Sequence, residues 1–190
     1  MQELWGQALE KNKMLKEKYQ KEIAPKLKNE LGKGNLQAVP TLEKIVLNMG
    51  VGRDRENQEE LKKAKEEMGL IAGQAPSMRS AKKAIASFGI RRGDIVGISA
   101  TLRGDKMWGF MEKLVNVVFP RTRDFKGISR KSLDRHGNLT IGVKEHTAFP
   151  EIDSHKVEKL RGLEITIATS TQDDEKAYRI LKELGMPFRD

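Results

Sequence analysis

Two segments of this sequence alternate between apolar and polar residues, and this pattern restricts the fold more than any other feature. In residues 42–51 the odd-numbered positions from Ile45 onward are apolar, whereas the other side includes Lys44 and Asn48. Residues 95–103 repeat the pattern. A period of two predicts β-strands, and a polar second side predicts a sheet with one open face. The polar side chains that can share this face are Lys44, Asn48, Ser99, Thr101 and Arg103.

The other elements are predicted from helical spacing, caps and turns. Large apolar residues recur every four positions within residues 4–31, which predicts a helix that Pro25 either kinks or divides. Asn57 and Glu60 have the spacing of a capping box, so a second helix is expected to begin there and to end at Gly73. Later elements are expected to be a helix capped by Asp105, strands at 139–143 and 163–169, and a last helix with Thr171 and Asp174 at capping-box spacing.

This order of elements predicts an α+β fold. Local strand pairs combined with crossovers favour a mixed, mostly antiparallel sheet with helices on one face and an open face for a ligand. The length of 190 residues fits one substantial core. We therefore expect a single domain over residues 1–190, with an N-terminal helical segment at about residues 1–34.

The distribution of charge points to a polyanionic partner. The chain has 36 Lys and Arg against 27 Asp and Glu, a net charge of +9. Residues 73–93 contain five cations and no acid, and residues 121–138 contain six cations and two acids. Both stretches are predicted to be long loops, the first of them flanked by short extended pieces. The first loop is expected to be mobile and to approach phosphates closely. Its cations are Arg79, Lys82, Lys83, Arg91 and Arg92.

Several functional classes have little support in the sequence. There is no cysteine, which excludes disulfides and thiolate chemistry. The apolar runs are too short to span a membrane and the N-terminus lacks a signal-peptide core, so we expect a cytoplasmic protein with no membrane partner. The three histidines lack zinc-ligand spacing, and the glycines form no complete nucleotide-binding motif. We expect no metal site, no cofactor and no catalytic residue.

Residues 145–153 collect three carboxylates, which leaves one enzymatic alternative open. Paired carboxylates catalyse reactions only when they are held at a defined separation with different pKa values. A structural turn or an acidic contact for a basic partner is the simpler interpretation. An enzyme that acts on RNA through these acids is the alternative.

The open face suits folded RNA better than single strands. Its hydroxyl, amide and cationic groups can contact phosphates, 2′-hydroxyls and minor-groove edges. Aromatic residues make up only 5% of the chain, and the two central strands carry none, which disfavours base stacking on the sheet. Two alternatives remain: an ordinary solvent-facing sheet, and a general nucleic-acid chaperone without a preferred RNA.

Six blocks of sequence, in order, resemble one known family. They are "VPTLEKIVLNMGVG", "LIAGQAP", "TLRGDKMWGF", "PRTRDFKGIS", "GNLTIGVKEHTAFPEID" and "KLRGLEITIATST", and the similarity extends from about Tyr19 to Phe188. These blocks identify the chain as similar to the bacterial large-subunit ribosomal protein L-five family. This resemblance implies a non-enzymatic protein of the large ribosomal subunit that attaches 5S ribosomal RNA to the central protuberance. It also implies contacts with large-subunit ribosomal RNA, with transfer RNA in the P site, and with a small-subunit protein of the S-thirteen family.

The resemblance also assigns roles to individual residues. It implies direct hydrogen bonds to 5S RNA from Asn48, Gln74 and Thr101, with phosphate charge from Lys44 and Arg103. The loop residues that it directs to the transfer RNA elbow are Arg79, Lys82, Lys83 and Arg91. Residues 134–145 are expected to lie nearest the small subunit.

Two features of the sequence depart from the family's usual pattern. After the Gly-Gln block the family usually has an apolar residue and then Thr, whereas this chain has Ser77 and Arg79. The first change removes a small anchor for the loop, and the second adds a charge that strengthens or redirects RNA contact. The segment before Tyr19 is also longer than usual and contains Trp5.

Overall fold

The structure is a computed structural model that describes residues 15–32, 34–122, 125–155 and 157–189. Trp5 and the part of the predicted helix before residue 15 lie outside these residues. The chain forms two compact units, each with its own buried residues. The first comprises Met1–Ile45, Leu102–Ile141 and Thr166–Asp190, and the second comprises Val46–Thr101 and Gly142–Ile165. The single-domain organisation over residues 1–190 stays a prediction.

The strands form one antiparallel sheet, which confirms the α+β fold. They are β1 (Leu42–Gly50), β2 (Ser77–Ser80), β3 (Ile95–Leu102), β4 (Leu139–Val143) and β5 (Leu163–Thr169), in the order β2-β3-β1-β5-β4. The predicted period of two is confirmed in β1, because Leu47 and Met49 are fully buried while Asn48 between them is exposed. Strand β2 lies inside the first basic stretch and pairs with β3.

Helices follow the predicted positions, with one adjustment at Pro25. The four longer ones are α1 (Ala24–Glu30), α2 (Gln58–Ala72), α3 (Gly104–Lys113) and α4 (Asp174–Glu183). Helix α3 continues through a π-helical turn at Leu114–Val118 and a short α-helical turn at Phe119–Arg121. A π-helical turn at Tyr19–Ile23 leads into α1, and Pro25 lies in the first turn of α1, where its missing N–H costs no hydrogen bond. Pro25 therefore opens a new helical segment.

The cap predictions are confirmed for one helix and wrong for two. Asn57 Oδ1 accepts hydrogen bonds from the backbone N–H groups of Glu59 and Glu60 at the start of α2, as its position predicts. Helix α3 begins after Arg103 without a side-chain cap, and Asp105 lies within its first turn. Helix α4 is capped by Asp173, because that carboxylate reaches the N–H groups of its first turn. Thr171 Oγ1 accepts instead from the N–H of Asp173.

Apolar and aromatic contacts form the core of each unit. In the first unit the rings of Tyr19 and Trp108 lie 5.2 Å apart, and the Tyr19 hydroxyl donates to the Pro40 carbonyl at 2.8 Å. In the second unit, α2 buries a stripe that includes Leu61 and Met68. Within the part of the chain that the structure describes, no helix is both long and apolar enough to cross a membrane.

Candidate nucleic-acid interface

The second unit presents a polar sheet surface that we call the recognition face. It is the side of β1, β2, β3 and β5 opposite the buried Leu47, Met49 and Ile98. Side chains reach this face at alternate positions of each strand because the Cβ atoms of a strand alternate in direction. Its polar side chains are Asn48, Ser77, Arg79, Ser99, Thr101 and Glu164.

The structure brings together two of the predicted RNA-binding residues, Gln74 and Thr101. Helix α2 ends at Gly73, whose φ of 62° is a left-handed conformation that glycine adopts readily. The chain then turns so that Gln74 Nε2 donates to the Thr101 carbonyl at 2.9 Å. Gln74 is thereby fixed beside β3, and the bond uses the carbonyl of Thr101 rather than its hydroxyl.

Asn48 lies on the same face and has a partner that sequence reasoning missed. Its Nδ2 donates to Glu164 Oε2 on the neighbouring strand β5 at 3.1 Å. On the other side Asn48 borders Gly97, since a Cβ built on Gly97 would lie 3.5 Å from Asn48 Oδ1. Asn48 and Glu164 are 116 positions apart, so no local pattern connects them.

Arg79 is placed on the sheet and not in the loop to which the sequence assigned it. It belongs to β2, where it pairs with Gly97 of β3, and its Nε donates to Ser99 Oγ at 2.7 Å. Its guanidinium group is therefore a cation of the recognition face. Ser77, the other departure from the family pattern, pairs with Ser99 in the same register.

Lys44 and Arg103 belong to the first unit. Lys44 is half-exposed near the start of β1, and Arg103 is exposed in the extended residue that precedes α3. Both are therefore accessible cations. Their role in binding phosphate stays a prediction.

The remaining cations of the first basic stretch surround a hydrogen-bonded loop at 81–94. Ile85 and Ile90 exchange two backbone hydrogen bonds of 2.8 and 3.1 Å, and Gly89 closes the tip with a φ of 60°. At the base, the N–H of Ala81 donates to the Asp94 carbonyl at 2.8 Å. The expected mobile loop thus has a defined backbone path. The exposed cations on it are Lys82, Lys83, Arg91 and Arg92.

An exposed aromatic residue lies at the tip of this loop. Phe88 is 71% exposed and Ile85 is 45% exposed. Aromatic residues of this size are normally buried, so an exposed one among cations indicates a contact surface. The available sequence signal was Phe88 itself, the single aromatic residue in a stretch rich in small and cationic residues.

Arg55 and Asp94 support the loop from the turn that follows β1. Arg55 Nη1 donates to the Gly52 carbonyl at 3.0 Å, and its Nε lies 3.8 Å from Asp94 Oδ2. Asp94 Oδ2 also accepts from the backbone N–H of Arg91 at 2.8 Å. The backbone of Arg91 in the loop is thus connected through Asp94 to the turn that follows β1.

The part of the second basic stretch at residues 125–138 belongs to the first unit and includes a 3-10 helical turn at Arg130–Ser132. The guanidinium of Arg130 lies 3.9 Å from the centre of the Tyr178 ring. Asp134 accepts three hydrogen bonds, two from backbone N–H groups and one from the Asn138 amide. Burial alone would raise the pKa of Asp134, but these hydrogen bonds lower it below its usual value. The turn is therefore held by polar contacts at neutral pH.

The acidic segment at 145–153 does not form a catalytic cleft. Its carboxylates, those of Glu145, Glu151 and Asp153, are exposed. Nearby, the buried His146 accepts a hydrogen bond at Nδ1 from the backbone N–H of Arg161 at 3.2 Å. Among the described residues, no group of three or more His, Cys, Asp or Glu could hold a metal ion.

Arg161 organises a network of charges behind this segment. It is almost fully buried; its Nη1 donates to Glu67 Oε2 at 2.8 Å, and its Nη2 donates to Glu60. Asp54 contacts both Arg161 and Lys159. Burial alone would raise the pKa of Glu67, but the contact with His146, 3.3 Å away, and the charge of Arg161 lower it below its usual value. This network is structural, since its groups neutralise one another.

Two family models match consecutive parts of this chain. The model described as "Ribosomal protein L5" matches residues 35–91, and a second model, which describes the C-terminus of the same ribosomal family, matches residues 95–188. The chain belongs to the ribosomal protein L5 family. Members of this family are structural constituents of the large ribosomal subunit and not enzymes, as the resemblance predicted. The expected location, the ribosome in the cytoplasm, follows from the same membership.

Individual relatives cover nearly the whole chain. A "Large ribosomal subunit protein uL5" of Roseiflexus sp. (strain RS-1) is 51% identical over 176 residues, which is 93% of this chain and 98% of the relative. The protein of the same description from Acidobacterium capsulatum is 51% identical over 175 residues, which is 92% of this chain and 96% of the relative. One from Limosilactobacillus fermentum is 50% identical over 174 residues, with coverage of 92% and 97%.

Proposed function

We propose that the recognition face binds 5S ribosomal RNA and so attaches it to the large subunit. The observation that carries this proposal is the presence of Asn48, Thr101 and Arg79 on one polar sheet surface of the second unit, with Gln74 hydrogen-bonded to the Thr101 carbonyl. Amide, hydroxyl and guanidinium groups suit the sugars, phosphates and groove edges of a folded RNA. Lys44 and Arg103 add charge for phosphates of 5S or large-subunit RNA.

We further propose that the loop at 81–94 contacts transfer RNA in the P site. Its exposed cations, Lys82, Lys83, Arg91 and Arg92, can bind phosphates, and the exposed Phe88 can stack on a base or a sugar. The hydrogen bonds within the loop reduce the conformational entropy that binding would cost. Residues 134–145 are the segment that we propose to contact a small-subunit protein of the S-thirteen family.

A competition titration tests the RNA assignments. Purified protein is titrated with 5S ribosomal RNA, transfer RNA and an unrelated structured RNA of similar length, at two salt concentrations. Specific recognition predicts that 5S RNA binds best and keeps its advantage at the higher salt, because base and sugar contacts release few counterions. Equal binding of all three RNAs, lost together as salt rises, would favour the general nucleic-acid chaperone.

A further inference from the structure

The loop at 81–94 has no residue in the core. None of its side chains is buried, and residues 82–89 are all exposed. Backbone hydrogen bonds close its base: the N–H of Ala81 donates to the Asp94 carbonyl at 2.8 Å, and the N–H of Gly93 donates to the Ala81 carbonyl at 2.9 Å. These bonds define the path of the loop but lie at one end of it. The direction of its tip therefore depends on contacts from outside the loop.

The guanidinium group of Arg55 contacts the loop near both its base and its tip. At the base, Arg55 Nε lies 3.8 Å from Asp94 Oδ2. At the tip, a Cβ built on Gly89 would lie 3.3 Å from Arg55 Nη2, which is closer than most Cβ contacts. Gly89 therefore leaves room for the guanidinium group, and it also adopts the left-handed φ of 60° that closes the tip. One side chain thus supports the loop at both ends.

Arg55 is itself held in place. Its side chain is 24% exposed, and its Nη1 donates to the Gly52 carbonyl at 3.0 Å in the turn that follows β1. The Glu56 carboxylate lies 3.6 Å from Nη2, but the Glu56 side chain is 88% exposed and such a pair adds little. Because the guanidinium group is rigid and planar, a contact that fixes one of its nitrogens also restricts the other two.

The turn that carries Arg55 is anchored in the second unit. Asp54, the residue before Arg55, is buried and lies 3.5 Å from the Nε of Arg161 in the buried charge network. At the start of the turn, the N–H of Val51 donates to the Val96 carbonyl of β3 at 3.0 Å. Arg55 thus connects an exposed loop to a fixed part of the fold.

The charge of Arg55 is used within the protein. Its guanidinium group faces the carboxylate of Asp94, whose Oδ2 also accepts from the N–H of Arg91 at 2.8 Å. The side chains of Lys82 and Lys83, in contrast, are exposed on the loop. Arg55 is therefore placed to position the loop, whereas the lysines are placed to bind phosphate.

We infer that Arg55 is a positioning residue that holds the loop at 81–94 in one orientation before transfer RNA binds. Without Arg55 the loop would keep its backbone hydrogen bonds at the base but would sample several orientations relative to the sheet. Binding would then have to order the loop, which lowers affinity. This inference rests on the proposed contact between the loop and transfer RNA.

The first test measures amide hydrogen exchange in the free protein, where RNA plays no part. The variants are Arg55→Ala, which removes every contact of the guanidinium group, and Arg55→Lys, which keeps the charge but has no fork to reach Gly52 and Asp94 together. Arg53→Ala is the matched control, since it removes an exposed cation from the same turn. Thermal unfolding verifies that each variant is folded.

Both Arg55 variants should lose about tenfold protection at the N–H groups of Ile85, Ile90 and Arg91, because the loop opens locally. Protection in the buried part of α2 should not change, whereas a general loss of stability would lower protection there as well. Arg53→Ala should exchange like the wild type. Unchanged protection of the loop in both Arg55 variants would show that the inference is wrong.

The second test measures affinity for transfer RNA as a function of salt. Arg55→Ala should bind about fivefold more weakly, while the slope of log affinity against log salt keeps its wild-type value because no phosphate contact is lost. Arg55→Lys should show a similar loss although it keeps the charge. If instead the slope for Arg55→Ala falls by about 0.9 and Arg55→Lys binds like the wild type, Arg55 contacts phosphate directly and the inference is overturned.

A double variant with Lys82 and Lys83 replaced by Ala separates this inference from the proposed function. If the double variant binds transfer RNA as well as the wild type does, the proposed contact fails, and the exchange data alone decide whether Arg55 positions the loop. If the double variant binds more weakly but Arg55→Ala retains full affinity, the loop binds RNA without help from Arg55, and the inference is overturned.

Discussion

The side-chain amide of Gln74 donates a hydrogen bond to the backbone carbonyl of Thr101, 2.9 Å away. This bond joins the end of α2 to β3, and it gives the side chains of Gln74 and Thr101 different roles. Gln74 holds the position of β3 relative to the helix end within the second unit, while Thr101 contributes a hydroxyl that this bond does not use. Substitutions at the two positions should therefore have separable effects.

Thr101→Ala should weaken 5S RNA binding by about 1 kcal/mol, the value of one hydrogen bond, without a change in stability. Asn48→Ala should have an effect of similar size. Gln74→Ala should weaken binding and also lower the free energy of unfolding by about 1 kcal/mol, because the part-buried Thr101 carbonyl loses its partner. Binding titrations and urea denaturation measure the two quantities. Unchanged binding in all three variants would show that these residues do not contact the RNA.

Replacing Lys82 and Lys83 together by Ala should weaken binding of transfer RNA. The slope of log affinity against log salt should fall by up to about 0.9 for each phosphate that the variant no longer neutralises. Affinity for 5S RNA should change less, because the recognition face is intact. The matched control is the double replacement of Lys62 and Lys65 by Ala on the exposed side of α2, which removes the same charge. An equal loss in both double variants would show that only net charge matters.

Phe88→Ala should reduce RNA affinity by about 1–3 kcal/mol, the range for loss of one stacked base. Because Phe88 is 71% exposed, the free energy of unfolding should stay within about 0.5 kcal/mol of the wild type. Phe88→Trp should retain binding, since it keeps a flat aromatic surface. Leu36→Ala, at an exposed apolar residue of the first unit, is the control. If Phe88→Leu binds as well as Phe88→Trp, the contact is apolar and not aromatic.

Glu67 should make the stability of the protein depend on acid pH. Its pKa is lowered in the folded protein, so the unfolded chain takes up the proton first, near the usual value of about 4.3. The stabilisation is therefore complete above about pH 4.3 and is lost as pH falls through the folded pKa. Urea denaturation between about pH 3 and 6 should show a shallower decline for Glu67→Gln than for the wild type. Glu66→Gln, at the exposed neighbour, is the matched control for the loss of one carboxylate from α2.

Gly137→Ala should destabilise the turn before β4 by at least about 2 kcal/mol. Gly137 has a φ of 75°, and an added Cβ would meet the Thr171 carbonyl oxygen at 2.0 Å. Its N–H also donates to Asp174 Oδ1 at 2.9 Å, a bond that a shifted backbone would break. Gly142→Ala in β4 is the control, because open space surrounds that position. Thermal unfolding of both variants decides whether Gly137 has this effect.

The strands could be predicted from the sequence because their pattern is local. β4 and β5 occupy the predicted residues, and β1 and β3 end one residue early. β2 was predicted only as a short extended piece beside the loop, because Ser77–Ser80 has no clear alternation and depends on pairing with β3. The capping box predicted at Thr171 and Asp174 was wrong for a similar reason, since nearby polar residues such as Asp173 compete and only the backbone conformation decides.

The candidate site was predictable in part. Asn48, Gln74 and Thr101 were assigned through a family resemblance; the structure places Asn48 and Thr101 on one face and bonds Gln74 to the Thr101 carbonyl. Glu164 could not be predicted, because an acid in a basic protein gives no signal until its partner is known. The position of Arg79 on the sheet and not in the loop depended on the pairing of β2 with β3, which the sequence did not reveal.

The buried network around Arg161 has a practical consequence for every salt titration described above. Salt screens exposed charges over about 10 Å at 0.1 M, but buried pairs are screened much less. Arg161 is 6% exposed, so its contacts with Glu60 and Glu67 should persist at concentrations that strip RNA from the surface. The second unit should therefore stay folded at salt concentrations that dissociate RNA, and RNA should bind again when the salt is removed. A loss of affinity at high salt then reports a weaker interface and not unfolding of the protein.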